Sequence, residues 1–269
     1  MRPSSLTVLV AQGDADLSSL IASVRSVVAT GLAEEVLVTA AASSPDPSTV
    51  EDGLLAGSIA SARTFVTILE GSLLPAELLR GCSTRFFGIL QAGAVVEERG
   101  LELQLQAFRV HTDLVMSVAF QNRGEDDVGI RPKSLLASLI ASLDSPIVDG
   151  RTFGRALVGD GTPIDTISSL VVIRTGAAVG HGLDDADGFV NRRDSNQRDL
   201  DGTLLATLTR GTVWCDADSR VTWNGRWLPT TSSTWQRWPT VMDQALELEL
   251  LDGQSEGVQA LISHTRRTA

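Results

Sequence analysis

Glu70 stands where an apolar run, Thr64 to Leu69, stops abruptly, and it is followed by Gly71, Ser72 and a helical pattern that starts at Pro75. A strand that ends on a carboxylate is a position where ligands sit, because the carboxyl ends of an open α/β sheet face a crevice. Gln12, Gly13 and Asp14 follow the first apolar run, Leu6 to Ala11, in the corresponding place. Asp199 and Asp201 open a later segment with leucines at helical spacing, Leu200, Leu204, Leu205 and Leu208. Each acid also has a plainer explanation. Glu70 fits a solvated strand end, Asp14 fits a helix cap, and acids in a first helical turn are favoured by the helix dipole whatever their function.

Other chemistries find little support. His111, His181 and His264 are too scattered for a metal motif, and Cys82 and Cys215 have neither zinc-site spacing nor the number of a disulfide framework. No Walker-type loop, nucleophile elbow or paired-cysteine motif occurs. The turn Val10 to Asp16 lacks the glycine fingerprint of a dinucleotide site. Thirty-three acidic residues against 22 basic ones give a net charge of −11, which argues against a broad nucleic-acid surface. No apolar run reaches the roughly 18 residues needed to span a bilayer. With unpaired cysteines, these features lead to the expectation of a cytoplasmic protein.

The elements that must position these residues alternate from the start. Leu6 to Ala11 reads as a buried strand, and Leu17 to Val28 as a helix with Asp16 as N-cap and Gly31 as its stop. Glu35 to Thr39 is a second strand. Ser48 and Glu51 have capping-box spacing before a further helix, and Thr64 to Leu69 is a third buried strand. Leu101 to Ala107 alternates strictly and predicts a strand with one wet face, paired with Leu114 to Phe120. Ser134 to Leu143 reads as a helix, Gly150 to Pro163 as a mobile connection, Ile167 to Arg174 as a strand, and Thr212 to Cys215 as a short strand. Strand, helix, strand in succession calls for a parallel sheet with crossover helices.

The segment Arg63 to Gly81 resembles the metal-binding turn of A-type nucleotide-sugar glycosyltransferases. Ser168 to Asp185, followed by Arg198 to Trp223, resembles the distal portion of the inverting glycosyltransferases called family 2, in which a strand ends in Arg and an Asp-x-Asp-Leu helix precedes a glycine and a strand. The resemblance spans roughly Leu6 to Trp223. It implies an α/β, Rossmann-type mixed sheet flanked by helices. It also implies that Glu70 holds a magnesium or manganese ion on the donor diphosphate, with Ser72 where a second carboxylate of Asp-x-Asp would stand. Gln12 and Asp14 would touch the donor base. The family's acid after its second strand has Thr39 and Ala40 in its place, with Asp46 in the following loop. Asp199 would serve as general base, with Asp201 as alternate.

All five tryptophans, Trp214, Trp223, Trp227, Trp235 and Trp238, fall in one C-terminal window that suits an aromatic core or protein interface better than a sugar platform. The expected organisation is a glycosyltransferase-like domain over 1–225 and a Trp-containing, helical extension over 226–269. Two functions follow. One is transfer of a sugar from a nucleotide-diphosphate donor to an acceptor with inversion. The other is a catalytically inert module of this fold with a binding or structural role in a larger assembly such as a phage particle, using a protein partner or homo-oligomer through the Trp-rich region; that chain would be virion-associated and carry no cofactor.

Overall fold

The computed structural model describes residues 5–11, 15–39, 47–55, 64–69, 78–79, 81–122, 128–129, 144–159, 170–180 and 211–223. Its strands are β1 (Leu6–Ala11), β2 (Glu35–Thr39), β3 (Phe65–Leu69), β4 (Phe86–Gln91), β5 (Ala94–Val96), β6 (Leu114–Asn122), β7 (Val128–Gly129), β8 (Ile147–Asp149), β9 (Leu170–Arg174) and β10 (Thr212–Trp223). Its helices are α1 (Leu17–Thr30), α2 (Pro47–Leu55), α3 (Glu98–Val110), α4 (Gly150–Gly159) and α5 (Thr175–Gly180). The strands form one mixed sheet in the order β3-β2-β1-β4-β9-β6-β10-β5, with β7 beside β6 and β8 beside β10. The first four strands in that order are parallel, as the alternation of strand and helix requires. β9 turns antiparallel between β4 and β6.

Burial explains the central strands. β1 is buried from Leu6 to Val10 and β4 from Phe86 to Leu90, since each has neighbours on both sides and helices over the sheet. One core joins Val8, Val10, Val36 and Val38 to Leu20, Val24 and Val27 of α1, and to Leu101, Leu105 and Phe108 of α3. Phe87, Phe153 and Ile173 are buried as well. Asp16 caps α1 by accepting the Ser19 N–H at 2.7 Å, and Gly31, with φ 62°, closes it in the left-handed conformation. Both ends follow the sequence signals.

Several elements depart from the sequence reading. Leu101 to Ala107 lies in α3, not a strand. Leu, Glu and Gln are strong helix formers, and the buried residues Leu101, Gln104, Leu105 and Phe108 recur at helical spacing, so the apparent alternation was incidental. Gly150 to Gly159 forms α4, whose start is held by Asp149 accepting the Thr152 N–H at 2.9 Å. α2 begins at Pro47, a residue suited to the first helical position, so Ser48 is inside it. The strand expected to end at Cys215 continues to Trp223 across a register shift between Asp216 and Arg220. β3, expected to be buried, is an outer strand with Phe65 77% exposed. The expected helix at 134–143 and the extension at 226–269 lie outside the described residues.

Candidate functional site

The register places Leu69, Thr39, Ala11 and Gln91 level with one another at the carboxyl ends of β3, β2, β1 and β4. From β1 the chain steps outward to β2 and β3, then returns to the other side of β1 to lay down β4. The strand order therefore reverses between β1 and β4, and in open α/β sheets the ligand crevice opens at that reversal. Its described walls are Ala11 on one side and Gln91, Ala92 and Gly93 on the other. β4 is not among the expected strands, although its unbroken apolar run, Phe-Phe-Gly-Ile-Leu, marks one.

The turn from β4 into β5 is tied down on three sides. The Ala92 N–H donates to the Ala11 carbonyl at 2.9 Å, joining the two walls of the crevice. Gly93 has φ 100°, a backbone conformation that side-chain-bearing residues rarely adopt, and its N–H donates to Ser23 Oγ at 2.9 Å. The Val96 N–H donates to Ser26 Oγ at 3.0 Å. Both serines project from α1, and their hydroxyls in turn donate to the carbonyls of Ser19 and Ser23. Backbone donors of a buried turn must find partners, and α1 supplies them here.

Gln12, Asp14, Glu70, Ser72, Asp199 and Asp201 all lie outside the described residues. The strand ends that precede the first four are described. Ala11 borders the crevice directly. Leu69 ends β3 two strand spacings from Ala11 and three from Gln91, about 10 and 14 Å across the sheet. β1 and β4 flank the reversal, and on the β4 side the wall carries Gln91 and Gly93. Those residues offer a neutral amide and no side chain, and no group of three or more His, Cys, Asp or Glu that could hold a metal occurs among the described residues. The described wall does not fit a hard divalent cation, which prefers carboxylate oxygens.

Arg174, the arginine that ends a strand in the distal match, points elsewhere. β9 runs antiparallel to β4, so Arg174 sits beside Phe86 at the opposite rim, about 13 Å of strand from Leu170. Its Nε donates to the Leu114 carbonyl at 2.8 Å, and its Nη2 to the carbonyls of Phe108 and His111 at 3.1 and 3.2 Å. The guanidinium also lies over the rings of Phe86 and Phe108. Partial burial and the neighbouring Arg85 lower its pKa, with Asp113 opposing them. It is a structural clasp for the C-terminus of α3. Cys82 and Cys215 are free thiols, and burial pushes the Cys215 thiol far up.

No protein-family model matches this chain, and no curated protein sequence matches it. Solved structures do. The mannosyltransferase PcManGT from Pyrobaculum calidifontis, in complex with GDP-Man and Mn2+, is similar with a TM-score of 0.52 and 14% identity over 99% of this chain and 69% of that one. S. aureus TarS in complex with UDP-GlcNAc gives a TM-score of 0.57 and 14% identity over 98% and 73%. A second TarS structure gives 0.50 and 11% over 97% and 68%. At such identities the likeness is one of fold. The chain has an A-type glycosyltransferase-like fold, with a central sheet flanked by helices.

Proposed function

We propose that this chain binds a nucleotide-sugar at the carboxyl rim and transfers the sugar to an acceptor hydroxyl with inversion. The observation that supports this most is the reversal of strand order between β1 and β4, which opens a crevice in a sheet similar to those of a mannosyltransferase solved with GDP-Man and of TarS solved with UDP-GlcNAc. In this reading Gln12 and Asp14, which follow β1, contact the donor. Glu70, with Ser72, is the candidate site for a magnesium or manganese ion. Asp199 takes the acceptor proton, with Asp201 as its alternate, as an attacking hydroxyl requires.

A second reading is a catalytically inert module of the same fold that serves a larger assembly. Gln91 and Gly93 favour it, because the described wall on the β4 side carries no carboxylate to hold a cation on a diphosphate. Titration calorimetry with UDP-, GDP- and dTDP-sugars, with and without Mn2+, separates the two. Transfer predicts donor binding that weakens about tenfold in Glu70→Ala, the equivalent of one charge-assisted contact, and donor hydrolysis or transfer that is lost in Asp199→Asn. Absence of heat with every donor sinks the transfer reading. Binding that neither Mn2+ nor Glu70→Ala alters removes Glu70 from the site.

A further inference from the structure

We infer that Ser23 and Ser26 of α1 are positioning residues for the crevice, holding the β4–β5 turn in the shape a nucleoside-diphosphate ligand meets. The inference deepens the proposed function and rests on it for the identity of the ligand. The turn begins at Gln91, the half-buried end of the strand beside the reversal, and passes through Gly93 at φ 100°. Glycine enters such a conformation without strain and leaves it as readily, so the shape of the turn depends on the groups that hold it. Here the fixing groups are two hydroxyls one helical turn apart on a buried helix face. Ser23 accepts the Gly93 N–H at 2.9 Å and Ser26 accepts the Val96 N–H at 3.0 Å.

The two serines do not act alone on the helix. Ser26 Oγ donates to the Ser23 carbonyl at 2.7 Å and Ser23 Oγ donates to the Ser19 carbonyl at 3.0 Å, so each hydroxyl has its proton committed and presents a lone pair to the turn. The third tie, from Ala92 N–H to the Ala11 carbonyl, fixes the same turn to β1. Three backbone donors, those of Ala92, Gly93 and Val96, are thereby spent inside the protein. Gln91, at the end of β4, adds an amide that both donates and accepts, which suits phosphate oxygens and sugar hydroxyls. A turn held in advance spends less of the binding free energy on ordering.

The test compares Ser23→Ala, Ser26→Ala and Ser26→Thr, the last of which keeps the hydroxyl at a half-buried position. Amide exchange at Gly93 and Val96, thermal unfolding, and calorimetric affinity for UDP-GlcNAc and GDP-mannose are read on each full-length chain. Loss of one hydrogen bond to the turn should speed exchange at the matching amide and weaken donor binding about tenfold. Ser26→Thr should restore both, and Val96 should be the affected amide for Ser26→Ala while Gly93 is for Ser23→Ala. If the wild type binds donor and the alanine variants bind it equally well with unchanged exchange, the positioning role is overturned while the proposed function stands. If the wild type binds no donor, the proposed function fails and the ligand-positioning role fails with it, whatever the exchange rates show.

Discussion

At the scale of single residues, Arg174 separates a structural role from a functional one. It ends a strand within a family-like segment, and it lies at the far rim, where it clasps three carbonyls of the α3–β6 corner. Replacing it with alanine should destabilise the protein by about 2–4 kcal/mol, since charge-assisted bonds and ring contacts are lost together and partial exposure limits the total. Under the proposed function, donor binding at the crevice should change little. Urea unfolding beside calorimetry checks both. The sequence shows an arginine after Leu-Val-Val-Ile, but the direction of β9 decides which rim receives it. That direction follows from pairing with β4 and β6, and neither pairing leaves a mark in local spacing.

At the scale of elements, α1 was legible and α3 was not. α1 carries its own punctuation: Asp16 at the N-cap, an apolar stripe, and Gly31 where a left-handed residue is needed. Hydrogen bonds from the Ser19 N–H, then from the hydroxyls of Ser18 and Ser19, hold the Asp16 carboxyl below its usual value. Its folded pKa is therefore depressed. The stabilisation it gives is present above the ordinary carboxylate pKa and is lost as pH falls through the folded value. Asp16→Asn keeps an acceptor but does not titrate. Its melting temperature should fall less than that of the wild type between about pH 5 and about pH 2, as followed by circular dichroism. In α3 the leucines at 101, 103 and 105 imitate a strand, and only helix-forming composition and burial of Gln104 beside Leu105 reveal the true period. The candidate site was hard to read for the same reason: without β4, the reversal of strand order between β1 and β4 is invisible.

At the scale of the whole molecule, β3 is an outer strand among the described ones, with a 77% exposed phenylalanine at its start. Phe65→Lys places a charge where edges are commonly guarded. It should change unfolding stability by no more than about 0.5 kcal/mol, and light scattering should show less self-association at high concentration. The net charge of −11 already works in that direction. The strand order carries a consequence for synthesis on the ribosome. β9 and β10 come last among the described strands, yet β9 lies between β4 and β6, and β10 between β6 and β5. As the chain emerges, β1 to β4 can assemble as a parallel unit, but its open flank waits for residues 170–174, some eighty positions later than β4. Until they arrive, β4 offers an unpaired, apolar margin to any neighbouring nascent chain, and chaperone demand should peak in that interval.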